Sequence, residues 1–77
     1  MYSVLLRLIM VSNSESIEVN FDSRLSFEDN LKYLSKIDQR YISNDYHIFD
    51  KNKNMFISKK HPLNEMGIRS FMTFHLY

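Results

Sequence analysis

Several residue types that staple small proteins or carry their chemistry are missing or scarce in this chain of 77 residues. It has no cysteine, no tryptophan and no alanine, and it has one glycine and one proline. Without cysteine, neither a disulfide framework nor a thiolate metal site can form. A single glycine excludes the glycine-rich loops that cradle phosphate groups. The fold must therefore be held together by its own hydrophobic core.

Long hydrophobic runs are also absent. The longest run, residues 4–11, is interrupted by Arg7 and is far too short to cross a bilayer. The same arginine, with no small-residue cleavage site after it, is atypical of a signal peptide. We therefore expect a soluble, cytoplasmic protein.

Neither sign of charge dominates, since the formal net charge is +1. The second half of the chain nevertheless has a candidate basic patch: Lys51, Lys53, Lys59, Lys60 and Arg69. Solvated loop lysines are the simpler interpretation. The near-neutral total argues against a nucleic-acid-binding protein, because such proteins usually carry a strong positive field.

What the chain does contain is enough for one domain. Hydrophobic residues make up 44% of the sequence and aromatic residues 14%, so a compact core is available to a single domain spanning residues 1–77. Asparagine, lysine, isoleucine, tyrosine and serine are abundant. This bias is typical of proteins encoded by AT-rich genomes, such as those of low-GC bacteria.

The last seven residues alternate between two sets of side chains. One set is wholly apolar: Met72, Phe74 and Leu76. The other set mixes aromatic and polar residues: Phe71, Thr73, His75 and Tyr77. A period of two predicts a strand whose apolar set faces the core. So hydrophobic an ending predicts a central strand of the sheet.

The start of the chain predicts a hairpin. Residues 2–11 are rich in valine, leucine and isoleucine on both alternating faces, which is typical of a largely covered strand. Residues 12–16 are polar and have the composition of a turn. Ile17, Val19 and Phe21 then alternate with polar residues, as in a half-buried strand.

A helix over residues 27–37 follows from its capping and its periodicity. Ser26 is a good N-cap, and Glu28 and Asp29 are acids in the first turn, where the helix dipole favours them. The apolar residues recur at helical spacing: Phe27, Leu31, Leu34 and Ile37. The residues expected to point to water are Asn30, Lys32 and Lys36.

Shorter elements complete the chain. Residues 38–45 are a polar linker in which Tyr41 and Ile42 are expected to pack on the core. Residues 46–49 and 55–57 predict two short strands. A helical turn over residues 63–66 is started by Pro62 and ended by Gly67, whose missing side chain permits a left-handed backbone.

The predicted fold class is α+β, with a mixed four- to five-stranded sheet and one main helix packed on one face. The order of elements is hairpin, helix, short strands, turn and final strand. If the first strand pairs in parallel with the last, the helix provides the crossover, and the arrangement is a β-grasp.

The closing segment carries a resemblance to ubiquitin that extends over nearly the whole chain. Leu63, the turn at Gly67, Ile68 and the Phe74-His75-Leu76 run follow the order found in ubiquitin-like domains. Conjugated members of that family continue into a tail that ends in a glycine pair, and this sequence has no such pair. The resemblance therefore implies a ubiquitin-like fold without conjugation or sulfur transfer.

Among tail-less relatives, the chain is most similar in length and ending to the small bacterial ubiquitin-like proteins of the YukD (EsaB) type. This resemblance implies a non-catalytic accessory component of type VII secretion. Its partner would be a protein, with a membrane-embedded secretion component as one candidate and a second copy of the chain as another.

No arrangement of residues predicts catalysis, a cofactor or a metal. His47, His61 and His75 share no metal-ligand spacing. No hydroxyl lies in a nucleophile elbow or near a plausible base in sequence. An enzyme fragment or subunit is therefore a weak alternative.

One near-motif resembles a calcium loop. Residues 50–54 place Asp and Asn at the right intervals, but Met55 occupies the position of the turn glycine and His61 that of the bidentate glutamate. Two lysines inside the segment oppose a cation. We predict a hairpin loop here.

Exposed apolar residues on the sheet are the best candidates for binding, because such patches mark protein interfaces. The candidate protein-binding patch is Leu5, Ile9, Ile48, Phe71 and Tyr77. Ile48 and Tyr77 are included because they resemble residues of ubiquitin's hydrophobic patch. The sequence leaves open whether Ile48 or His47 points outward.

Two functions follow. The first is a protein-interaction module with an apolar patch on the sheet face and no pocket. The alternative is a small domain that binds nucleic acid or an anionic surface through the basic patch. That alternative requires the basic side chains to converge beside Tyr46 or Phe56, which would act as stacking platforms.

Overall fold

A computed structural model of the chain describes residues 2–37 and 46–77. Within them, five strands form one sheet, in the order β2-β1-β5-β3-β4. The elements, in chain order, are β1 (Ser3–Met10), β2 (Glu15–Asp22), α1 (Phe27–Ile37), β3 (Ile48–Asp50), β4 (Met55–Ile57), a 3₁₀ helix (Leu63–Met66) and β5 (Thr73–Leu76).

β1 and β2 form the predicted hairpin. They pair antiparallel along their full length, from Ser3 opposite Asp22 to Met10 opposite Glu15. The connection is shorter than the polar composition suggests, because the side chain of Asn13 accepts the N–H of Glu15 at 3.0 Å. Ser14 completes the reversal with φ = 59°.

β5 lies in the middle of the sheet, as predicted. It pairs in parallel with β1, with Leu8 opposite Phe74, and antiparallel with β3, with Ile48 opposite Leu76. The sheet is therefore mixed. With α1 connecting the hairpin to the rest, this is the β-grasp arrangement that the order of elements predicts.

The core lies between the sheet and α1. Its aromatic centre is Phe27 at the start of α1, which contacts Phe74 and Phe21 edge to face at centroid distances of 5.1 and 6.0 Å. The buried hydrophobic residues around it are Leu6, Leu8, Met10, Val19, Leu31, Ile48, Leu63, Ile68 and Leu76. The predicted inner faces of β2 and β5 are thus confirmed, and β1 buries the face that carries Leu6, Leu8 and Met10.

The predicted bounds and N-cap of α1 are confirmed, since the N–H of Asp29 donates to the hydroxyl of Ser26 at 3.1 Å. Two side chains were predicted wrongly. Asn30 is buried rather than exposed, because its amide bonds to the backbone of Asp22 and Ser26. Ile37 is 69% exposed. Periodicity alone does not reveal how far the sheet extends beneath a helix.

β3 lies slightly later than predicted. Tyr46 packs partly buried against the core, and His47 exchanges two backbone hydrogen bonds of 2.9 Å with Tyr77 before the strand begins. The prediction for Tyr41 and Ile42 falls outside the described residues. β4 has the predicted bounds.

The connection between β3 and β4 is the predicted hairpin loop. Asp50 is buried, and its carboxylate accepts the N–H groups of Asn52 and Lys53 at 3.0 and 3.3 Å. The Asp50 carboxylate thus closes the turn by accepting hydrogen bonds from its backbone.

The predicted turn at residues 63–66 is a short 3₁₀ helix that follows Pro62. Gly67 ends it with φ = 69°, and its N–H donates to the carbonyl of Leu63. Neither this helix nor α1, the helices of the described residues, is long and apolar enough to cross a membrane.

Candidate protein-binding face of the sheet

The sheet has one face on the core and one outer face. Because side chains alternate along a strand, the residues between the buried positions lie on the outer face. They are Leu5, Arg7 and Ile9 on β1, Ser16, Glu18 and Asn20 on β2, Thr73 and His75 on β5 with Tyr77 after it, Phe49 on β3 with His47 before it, and Phe56 on β4.

Four rings meet at one end of this face, and we call them the ring cluster: His47, Phe49, Phe56 and Tyr77. Phe49 lies directly opposite Phe56 in the β3–β4 pair, with ring centroids 5.1 Å apart. Tyr77 contacts both rings, at 6.1 and 5.7 Å. His47 contacts Phe56 at 6.3 Å. All four contacts are edge to face, the geometry that the charge distribution of aromatic rings favours.

The ring cluster is open to solvent. Phe56 is 57% exposed and Tyr77 is 54% exposed, whereas Phe49 between them is half-buried. The backbone pairing between His47 and Tyr77 is what brings the end of the chain alongside β3. Two large rings are therefore displayed to water on paired strands of the sheet.

The structure places the residues of the predicted protein-binding patch in separate regions of the sheet. Tyr77 belongs to the ring cluster. Ile9 is half-buried near the middle of the outer face, where it is the neighbour of His75. Leu5 and Phe71 lie at the other end of β1 and β5, where both line a shallow groove.

Ile48 does not belong to the outer face, and this corrects the sequence prediction. It is 1% exposed and lies in the core-facing row between Leu76 and Ile57. Because neighbours along a strand point to opposite faces, His47 and Phe49 point outward instead. The question left open by the sequence is thus answered in favour of His47.

His75 occupies the centre of the outer face, between Ile9 on β1 and Phe49 on β3. It is half-buried, as predicted. Its Nδ1 is the one buried side-chain nitrogen or oxygen without a hydrogen-bond partner among the described residues.

The predicted basic residues are spread over three connections. Lys51 and Lys53 are exposed in the β3–β4 loop. Lys59 and Lys60 follow β4, where the carbonyl of Lys59 accepts the N–H of Glu28 at the start of α1. Arg69 is exposed before β5. The predicted basic residues therefore come from three separate connections and not from one helix or strand.

An ion pair lies in the connection between β2 and α1. Arg24 donates to both carboxylate oxygens of Asp22, at 3.1 Å from Nε and 2.8 Å from Nη2, and its backbone N–H donates at 2.9 Å. These bonds lower the pKa of Asp22 and raise the pKa of Arg24. The guanidinium also lies 4.1 Å from the centre of the Tyr2 ring. This group fixes a turn and lies away from the ring cluster.

One hydroxyl–imidazole pair was not anticipated from the sequence. The hydroxyl of Ser58 lies 2.7 Å from Nδ1 of His61, and it also accepts the N–H of Lys60. Both residues are exposed, and no carboxylate bonds to His61 among the described residues. The bonds fold a loop onto itself. The described residues also contain no group of three side chains suited to a metal ion.

Sequence reasoning missed Phe49 as a surface residue, left the orientation of His47 open and considered Phe56 only as a stacking platform. The signal was present, because the alternation of residues 47–49 exposes His47 and Phe49 once Ile48 is placed inside. What the sequence did not provide was the pairing that fixes the orientation of Ile48.

Comparison with known proteins identifies the fold. No protein-family model matches the chain, and no curated protein matches it. It is similar to the ubiquitin-like domain of an Arabidopsis thaliana protein, with a TM-score of 0.76 and 11% identity over 100% of this chain and 78% of that one. It is also similar to a protein designed de novo on the basis of ubiquitin, with a TM-score of 0.75 and 13% identity over 99% of this chain and 88% of the design. The fold is therefore the ubiquitin-like β-grasp.

Proposed function

We propose that this protein is a protein-interaction module that binds its partner through the ring cluster. The observation that carries the proposal is the display of Phe56 and Tyr77, each more than half exposed, on one face of the sheet. Aromatic side chains are enriched at the centres of interfaces because they bury a large area at a small cost in conformational entropy. A ubiquitin-like fold supports such a role.

The geometry of the rings favours a protein partner over a nucleic acid. Bases stack on the open faces of aromatic rings. Here the planes of Phe49 and Phe56 are inclined by 73°, and those of Phe56 and Tyr77 by 67°. Rings packed edge to face form a contoured apolar surface, which suits the side chains of a protein better than a series of parallel bases.

The resemblance to YukD-type proteins supports a finer proposal. The module would act in the cytoplasm of a bacterium as a non-catalytic accessory component of type VII secretion, and its partner would be a membrane-embedded component of that system. It would act without being conjugated. The one glycine of the sequence, Gly67, ends the 3₁₀ helix, so it has a structural role and does not belong to a terminal glycine pair.

Affinity capture from the lysate of the source organism tests the proposal. The bait proteins are the wild type, Phe56→Asp and Tyr77→Asp, and the matched control is Tyr33→Asp, which changes a 67% exposed tyrosine on α1. We expect the wild type and the control to capture a secretion-system protein, and the two ring-cluster variants to lose it.

Two other outcomes would contradict the proposal. Equal capture by all four proteins would remove the ring cluster from the interface. Capture of nucleic acid alone, abolished by salt or by Lys51→Glu with Lys53→Glu, would favour the alternative function. Each variant is first compared with the wild type by circular dichroism, so that loss of binding is not confused with loss of folding.

A further inference from the structure

Phe71 is the most exposed large hydrophobic residue of the described chain, with 83% of its surface accessible. Its backbone is also unusual, since φ is 72°. The left-handed region is rare for residues other than glycine, asparagine and aspartate, and costs about 1–2 kcal/mol. A phenylalanine that is both strained and exposed gains nothing obvious from its position in the monomer.

The surrounding backbone holds Phe71 in this conformation. Its N–H donates to the carbonyl of Leu5 at 2.7 Å, and the N–H of Leu5 donates to the hydroxyl of Ser70 at 3.1 Å. The N–H of Arg7 then donates to the carbonyl of Met72 at 3.0 Å. Residues 70–72 are thus fixed to β1, and the ring of Phe71 is presented in a defined position. Strained residues that are rigidly held often serve a function.

Beside the ring lies a groove of about 160 Å³, lined by Leu5, Leu6, Arg7, Glu18, Phe71 and Thr73. An engineered protein cavity of about 150 Å³ is large enough to bind benzene. The groove therefore has room for one phenyl ring. The ring of Phe71 and a space for such a ring are adjacent on the same surface.

The groove is lined by one positive and one negative side chain, Arg7 and Glu18. Arg7 and Glu18 are opposite each other on β1 and β2, with 3.3 Å between Nη2 and Oε1. Both side chains remain more than half exposed, at 55% and 59%. A surface that carries a cation beside an anion can complement a second copy of itself, because each charge then meets the opposite one.

We propose that this surface, formed by Leu5, Arg7, Glu18 and Phe71, is a two-fold symmetric interface between two copies of this chain. In a two-fold interface the same patch serves both partners, so it must contain both a projecting group and its receptor. Each Phe71 ring enters the groove of the other copy, and each Arg7 faces the other copy's Glu18. The inference goes beyond the proposed function, because the ring cluster lies at the opposite end of the sheet and stays free.

The interface is small, so the dimer is weak and forms at roughly 10 μM to 1 mM. Sedimentation equilibrium of the wild type over this range should show the mass rising from 9.3 kDa towards twice that value. Phe71→Asn removes the ring but tolerates the left-handed backbone, and it should remain a monomer. Tyr33→Ser on α1 is the matched control and should dimerise like the wild type, as should Phe56→Asp.

A mixing experiment isolates the charge complementarity. Arg7→Glu places two anions on the patch, and Glu18→Arg places two cations there. Each variant alone should have at least tenfold weaker self-association than the wild type. An equimolar mixture should associate, because every contact between the two variants then joins opposite charges.

The outcomes separate cleanly. A wild type that remains a monomer at 1 mM, a Phe71→Asn variant that dimerises normally, or a mixture no more associated than its parts would each overturn the proposal. Loss of dimerisation in Phe56→Asp would assign the contact to the ring cluster instead. The first three results do not bear on capture of a partner by the ring cluster, so the two proposals can fail separately.

Discussion

At the scale of single residues, Asn30 does more for the fold than its place on a helix suggests. Its side chain accepts the N–H of Asp22 at 2.8 Å and donates to the carbonyls of Asp22 and Ser26 at 3.1 and 2.8 Å. We expect Asn30→Ala to lower the free energy of unfolding by about 2–3 kcal/mol, because buried backbone groups lose their partner. Urea unfolding measures the loss, and Lys32→Ala is the exposed control. Equal effects in the two variants would show that the Asn30 bonds are dispensable.

Gly67 and Phe71 both have a left-handed backbone, and substitutions at the two positions should change the free energy of unfolding in opposite directions. Gly67 has φ = 69°, and no atom beyond the glycine and its two chain neighbours lies within 4 Å of where a Cβ would be. Gly67→Ala therefore costs only the strain of the left-handed backbone, about 1 kcal/mol. Phe71→Gly releases such strain and should raise the free energy of unfolding by up to about 1 kcal/mol, after the entropy of glycine is subtracted. Thermal unfolding in dilute solution measures both. A stabilising Gly67→Ala would contradict the account.

At the scale of elements, the turn between β2 and α1 should respond to acid. Hydrogen bonds from Arg24 lower the pKa of Asp22, so the stability gained by this carboxylate is present above its ordinary pKa of 3.8 and is lost as the pH falls through the lower, folded value. We expect wild type and Asp22→Asn to differ most at neutral pH and to converge in acid. Urea midpoints between pH 7 and pH 2 measure the difference, with Glu15→Gln as the control. A difference that does not change with pH would assign the effect of the substitution to something other than ionisation.

Local sequence signals predicted the bounds of the helices well, but they did not predict which side chains would be buried by tertiary contacts. The bounds of α1 follow from the Ser26 cap and helical spacing, and the end of the 3₁₀ helix follows from Gly67, because caps are encoded within a few residues. Asn30 was misplaced because its partner, the backbone of Asp22, is set by how α1 leaves the hairpin. Ile37 was misplaced because the extent of the sheet beneath a helix is a tertiary property.

At the scale of the whole molecule, the candidate site was predictable only where local sequence, without knowledge of strand pairing, shows which side of a strand faces the core. The alternation of residues 71–77 placed Tyr77 on the outer face, because one of its two sets of side chains is wholly apolar. Both faces of β1 are largely apolar, so its sequence left the side of Leu5 and Ile9 open. β3 has three residues, Ile48–Asp50, and two of them are apolar. Its orientation is set by the pairing of Ile48 with Leu76, and a partner 28 residues away is invisible to local pattern. The ring cluster emerges only from that pairing.

The assignment of the two faces of the sheet can be tested by two variants, one with a carboxylate on the core face and one with a carboxylate on the outer face. Ile48 and Phe56 are both large apolar residues on neighbouring strands, yet one is 1% exposed and the other 57%. Ile48→Asp buries a carboxylate in the core and removes apolar contact, so we expect a loss of at least about 4 kcal/mol in the free energy of unfolding. Phe56→Asp removes three edge-to-face ring contacts but keeps its carboxylate in water, so we expect a smaller loss of about 1–2 kcal/mol. Urea unfolding measures both, and a folded Ile48→Asp beside an unfolded Phe56→Asp would mean that β3 and β4 present the opposite face to the core.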